Sequence, residues 1–158
     1  MYQDFKDLLS AFHAQGVNYL IIGGYAVALH AQPRATKDLD VLIPADPATA
    51  QAVYAALAAF GAPVEDIRVE DLADCNSFIR FGREPLAVDI HSHIPGVSFD
   101  AAWQRRVEAI IDPQTGLKAS FISRDDLIAS KLASGRTRDL ADVEELREAA
   151  DSQPPEGR

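Results

Sequence analysis

A strand that turns into a helix through two adjacent glycines constrains this chain more than any other feature. Val17-Asn18-Tyr19-Leu20-Ile21-Ile22 is a short β-rich run, Gly23-Gly24 follows at once, and Tyr25 to Ala31 reads as a short helix. Pro33 breaks that helix. After the polar connector Arg34-Ala35-Thr36-Lys37 comes a second strand, Asp38-Leu39-Asp40-Val41-Leu42-Ile43. Short buried strands linked through helices need a sheet with helices packed on it.

The rest of the pattern agrees. Phe5, Leu8, Leu9 and Phe12 fall at i, i+3, i+4 and i+7 and predict a first helix that Gly16 ends. Asp46-Pro47 supplies an N-cap and a proline at the first helical position. In the helix that follows, Ala50, Val53, Tyr54 and Leu57 share a face, and Gly61 stops it. Ser77 to Phe81 and Leu86 to His91 read as a hairpin around Gly82-Arg83-Glu84-Pro85. Ser98 to Trp103 reads as a helical turn, and Val107 to Ile111 with Leu117 to Ile122 as a second hairpin. Ser123 caps a helix from Arg124 to Ala133, with Asp126 in capping-box position. Gly135 ends that helix, and Thr137 caps a last one with Leu140, Val143 and Leu146 as its apolar side. The expected fold is α/β (α+β), a mixed sheet flanked by helices, two of them C-terminal. Residues 1–150 are expected to form one domain, with 151–158 as a disordered tail.

Composition narrows the function. The single cysteine, Cys75, excludes an internal disulfide framework and a four-cysteine zinc site. Lys plus Arg is 15 against 24 for Asp plus Glu, a net charge of −9, which argues against a protein that coats nucleic acid. A local basic patch still suffices to hold one phosphate group. No apolar run approaches the ~18 residues of a membrane helix, and no basic flank precedes an apolar run at the N-terminus. A cytoplasmic, reducing location without membrane contact is expected.

Asp38 and Asp40 are two apart on a strand, so both carboxylates point to one face. Among Leu39, Val41, Leu42 and Ile43 they repel each other in a low dielectric, and a hard divalent cation, Mg²⁺ or Mn²⁺, is the simplest countercharge. The plain alternative is a strand end with solvated acids. The glycine pair shifts the balance, because a helix N-terminus reached through glycine exposes backbone N–H groups to an anion. Asp89, inside Leu86-Ala87-Val88-Asp89-Ile90-His91, is a third acid in an apolar strand. Carboxylates that hold two ions and help deprotonate an attacking hydroxyl are what phosphoryl or nucleotidyl transfer requires.

These residues resemble a family. Leu20 to His30, with Gly23-Gly24 at its centre, followed by Arg34-Ala35-Thr36-Lys37-Asp38-Leu39-Asp40-Val41, is similar to the nucleotidyltransferase superfamily that includes DNA polymerase β. Within it, the sequence resembles small bacterial abortive-infection-type nucleotidyltransferase toxins. The C-terminal run Asp126 to Lys131 with Gly135 to Val143 carries the same likeness. The resemblance implies a magnesium-dependent transfer of a nucleoside monophosphate from a nucleoside triphosphate such as ATP. It implies that Gly23 and Gly24 hold the triphosphate, that Asp38 and Asp40 bind metal, and that Asp89 is the third carboxylate. Gly24 stands where many members have serine, so only backbone donors remain there.

Other residues keep two readings. Lys131 shares a face with Leu127 and Ile128 and either snorkels to solvent or neutralises phosphate or a carboxylate. Arg34 and Thr36 lie close in sequence to the acids, and Arg34 either grips phosphate or is a solvated loop residue. Arg136, Asp139 and Asp142 suit a salt-bridged helix start. Asp89, His91 and His93 alternate like strand ligands of a transition metal, unless Pro95-Gly96 has already ended the strand at His93; His91 alone also suits a proton acceptor. The acceptor of a transferred nucleotide is open between a tRNA end, a protein hydroxyl and a small molecule. The competing reading is a non-catalytic nucleotide-binding module acting with a partner protein, as in toxin–antitoxin pairs. A cognate antitoxin or a homodimer would supply what a domain this small lacks.

Overall fold

The computed structural model of the chain describes residues 1–83 and 85–152. Of the tail expected to be disordered, 153–158 lie outside the described residues, while 151 and 152 complete the last helix. Six strands form one sheet: β1 (Leu20–Ile22), β2 (Asp38–Leu42), β3 (Phe78–Phe81), β4 (Ala87–His91), β5 (Val107–Asp112) and β6 (Leu117–Phe121). Their order is β3-β4-β2-β1-β6-β5. β1 runs antiparallel to β2 and parallel to β6, and β2 runs parallel to β4. Antiparallel hairpins, β3–β4 and β5–β6, close the two sides. The sheet is mixed and the fold is α/β, as expected.

The helices are α1 (Gln3–Ala14), α2 (Gly23–His30), α3 (Pro47–Phe60), α4 (Val69–Ala73), α5 (Phe99–Gln104), α6 (Arg124–Ser134) and α7 (Thr137–Ser152). α1 buries the predicted stripe of Phe5, Leu8, Leu9 and Phe12, each such side chain contributing about 1.5–3 kcal/mol. That stripe packs into one core with Leu20, Ile21, Leu39, Val41, Val53 and Leu57. Asp46 caps α3 by accepting from the Thr49 N–H at 2.8 Å, and Gly61 ends it with a left-handed φ of 91°. Ser123 caps α6 by accepting from the Asp126 N–H.

The structure departs from the sequence pattern in three places. β1 is shorter than the β-rich run and begins at Leu20. A 3-10 turn (Val64–Asp66) and α4 fill the stretch before the first hairpin, where the pattern predicts no element. α7 turns Asp139, Asp142, Val143 and Leu146 inward, and leaves Leu140 45% exposed. The inward set again follows i, i+3, i+4 and i+7; two of its members are aspartates because cations wait for them inside.

Candidate active site

The parallel pairing of β2 with β4 places Asp40 opposite Asp89 and Leu42 opposite His91. Alternate residues of a strand share a face, so Asp38, Asp40, Asp89 and His91 are brought to one side of the sheet. One oxygen each from Asp40 and Asp89 and one ring nitrogen of His91 lie within 4.8 Å of one another. His91 Nε2 donates to Asp40 Oδ1 at 3.2 Å. On the other flank β1 pairs Ile22 with Asp40, which sets the glycine bend against the same carboxylate. Gly23 begins α2 with φ +64°, and a Cβ there would run into the Asp40 carboxylate. Only glycine supplies both that backbone and that closeness.

Asp89 is 8% exposed. Its Oδ2 accepts from Arg80 Nη1 at 2.8 Å, while its Oδ1 is buried without a partner among the described residues. Burial, and next the Asp40 charge, push its carboxyl above the ordinary range, against the opposing pull of Arg80 and His91. Arg80 Nη2 also stands 3.7 Å from Asp38 Oδ1, so one guanidinium spans two of the three acids. A buried carboxylate oxygen without a donor costs free energy, and a divalent cation is a group that Asp40, Asp89 and the neighbouring His91 fit.

Arg80 was not singled out from sequence. The signal for it lies in hairpin register: counting back across the β3–β4 loop pairs Arg80 with Asp89. Phe78 was missed in the same way; it pairs with His91 and stacks on its ring at 5.6 Å and 13°. His93 lies beyond the end of β4 and is exposed, so it does not extend the Asp89–His91 row.

The helix start offers the anion side of the site. Among the described residues no side chain caps the N-terminus of α2, and the first-turn N–H groups of any helix lack intrahelical acceptors. A Cβ on Gly24 would stand 2.9 Å from Thr36 Cγ2 and 3.2 Å from its Oγ1. The space a side chain at position 24 would take is thus bordered by a threonine that brings its own hydroxyl. That hydroxyl makes only a long 3.5 Å bond, to the Arg34 carbonyl. Tyr25 Oη donates to the Thr36 carbonyl at 3.1 Å and holds the connector against α2.

Arg34 and Lys131 converge on one carboxylate. Arg34 Nη2 lies 2.8 Å from Asp142 Oδ1, and Lys131 Nζ 2.7 Å from Asp142 Oδ2 and 3.5 Å from Asp139. Arg136 Nε reaches Asp139 Oδ2 at 2.7 Å. Of the readings of Lys131, the one in which it neutralises a carboxylate describes this arrangement, the carboxylates being those of α7.

An acidic sheet face beside a glycine-started helix, in a mixed sheet of this order, defines a nucleotidyltransferase-like fold. The chain belongs to the family described as nucleotidyltransferase of unknown function (DUF6036), which matches residues 2–150. It is accordingly a nucleotidyltransferase. No curated protein matches it in sequence. Among solved structures, the lincomycin-bound lincosamide antibiotic adenylyltransferase LnuA superposes with a TM-score of 0.58 at 18% identity, over 94% of this chain and 98% of that one. An antigenic nucleotidyltransferase-like protein from Paracoccidioides brasiliensis superposes with a TM-score of 0.53 at 15% identity, over 97% and 77%. These likenesses extend over nearly the whole chain and concern the fold.

Proposed function

We propose that this site transfers a nucleoside monophosphate from a nucleoside triphosphate, ATP being the first to try, to the hydroxyl of an acceptor. The observation that carries the reading is the in-register Asp40–Asp89 pair beside the Gly23 bend, with Asp89 Oδ1 buried and unpartnered. Asp40 and Asp89 would hold Mg²⁺ or Mn²⁺, with Asp38 adjoining them. When bound, such a cation neutralises phosphate charge and lowers the pKa of an oxygen nucleophile. The backbone of Gly23 and Gly24 and the Thr36 hydroxyl would seat the triphosphate. Arg34 and Lys131 would join it only in competition with Asp142. The acceptor oxygen forms its bond to the α-phosphorus, the bond to the bridging oxygen breaks, pyrophosphate leaves with the electron pair, and the hydroxyl proton passes to a carboxylate of this face.

A net charge of −9 disfavours an RNA acceptor and supports a small neutral or cationic one. That LnuA, which this chain covers almost end to end, is an antibiotic adenylyltransferase supports the same choice. Among the described residues no helix is long and apolar enough to cross a membrane, and action in the cytoplasm is part of this proposal. A second reading rests on Arg80: with its guanidinium between Asp38 and Asp89, the chain would be a nucleotide-binding module completed by a partner such as an antitoxin. Labelled triphosphates with Mg²⁺ or Mn²⁺, offered with hydroxyl-bearing antibiotics, bulk tRNA and lysate protein, decide between them. Transfer that Asp40→Asn abolishes supports the enzyme; triphosphate binding without transfer to any acceptor supports the module.

A further inference from the structure

We infer that His91 is a metal ligand, and that the seat formed by Asp40, Asp89 and His91 takes a first-row transition cation of the Mn²⁺ type in preference to Mg²⁺. The inference rests on the metal-centre reading above and adds to it a third donor and a selectivity. Three observations carry it. First, His91 Nε2 and Asp40 Oδ1 are 3.2 Å apart, near the roughly 2.9 Å that separates adjacent ligands on an octahedral ion of Mg²⁺ or Mn²⁺ size. Second, Asp89 is more than nine-tenths buried, and among the described residues its Oδ1 belongs to no hydrogen bond while Arg80 holds its Oδ2. The free oxygen is therefore the one available to complete the set with Asp40 and His91. Third, the donor that lies within 4.8 Å of both the Asp40 and the Asp89 oxygens belongs to His91, so the third donor beside them is a nitrogen rather than the Asp38 carboxylate expected from sequence.

Donor chemistry then sets the preference. Mg²⁺ is a hard ion that takes oxygen and releases its water reluctantly. Imidazole favours the first-row transition ions, among which Mn²⁺ also accepts carboxylate oxygen readily. The stack of Phe78 on the His91 ring at 5.6 Å fixes the ring plane, so the nitrogen is presented without a large loss of freedom.

The test reads the ligand directly, with Mn²⁺ alone and then with Mn²⁺ and ATP. Pulsed electron paramagnetic resonance of the full chain is expected to show coupling to a coordinated ¹⁴N nucleus, replaced by ¹⁵N coupling when histidine is isotopically labelled. His91→Gln should lose the coupling and bind Mn²⁺ on the order of tenfold more weakly, with Mg²⁺ binding little changed; His93→Gln should keep it. Should His91→Gln fail to fold, the labelled wild-type chain still decides. Mn²⁺ bound with oxygen couplings only, or nitrogen coupling that survives His91→Gln, overturns the inference and leaves the metal centre standing. No Mn²⁺ bound under either condition overturns the inference and the metal-centre reading together.

Discussion

Gly23 does two things that no other residue can do together. Its φ of +64° starts α2, and its missing side chain lets Asp40 approach the bend. Gly23→Ala should cost about 1–2 kcal/mol from the left-handed backbone alone, read by urea unfolding, and should abolish label transfer by displacing Asp40. Gly24 tests a different contact. A Cβ there meets Thr36 Cγ2 at 2.9 Å, so Gly24→Ser should weaken triphosphate binding rather than strengthen it. Adding Thr36→Ser, which removes that methyl, should recover part of the loss in a double-mutant cycle. At Arg80 two effects oppose each other: Arg80→Met should destabilise the metal-free protein at neutral pH, since it strips Asp38 and Asp89 of their countercharge. Calorimetry should show divalent cations binding the same variant more tightly, because the competing guanidinium is gone.

α6 and α7 are held together by charge as well as by apolar contact. Lys131 lies between Asp139 and Asp142 in a buried setting, so Lys131→Met should destabilise the chain in urea unfolding, by less than the ~3–5 kcal/mol of a buried pair broken outright, because Asp142 keeps Arg34 and Asp139 keeps Arg136. Burial pushes the Asp142 carboxyl up, but hydrogen bonds from Lys131 and Arg34 outweigh it and hold the group below its ordinary 3.8. Its stabilising contribution is therefore complete above that value and is lost as pH falls through the depressed one. Asp89 carries the opposite sign: with its pKa raised, its contribution is largest in acid and is lost as pH rises through the native value. Unfolding free energies measured downward from about pH 5 should fall less steeply for Asp142→Asn than for the wild type. The start of α6 was legible in sequence because Ser123 and Asp126 act within one turn. The inward face of α7 was not. Hydrophobicity pointed to Leu140, whereas the face is set by Arg34, Lys131 and Arg136, all of which lie outside Thr137–Ser152.

At the scale of the molecule, the acidic surface makes a prediction about partners. Binding to bulk tRNA should be undetectable by fluorescence anisotropy near physiological salt. Lowering the salt should not rescue it, the reverse of a protein that releases counterions from phosphates. The glycine bend and the three acids could be located from sequence because each depends on neighbours two or three positions away. Their meeting was given only by the family resemblance. β2 and β4 are neighbours in the sheet although α3, α4 and β3 lie between them in the chain, and Arg80 enters the site solely through cross-strand pairing. Because that pairing sets Asp40 against Asp89, slippage of β4 by a single residue would turn Asp89 to the opposite side of the sheet and put an aliphatic neighbour in its place. Such a chain would keep its strands and helices and pass most tests of shape, yet it would be chemically mute. Turnover per molecule thus doubles as a gauge of correctly threaded protein in any refolded preparation.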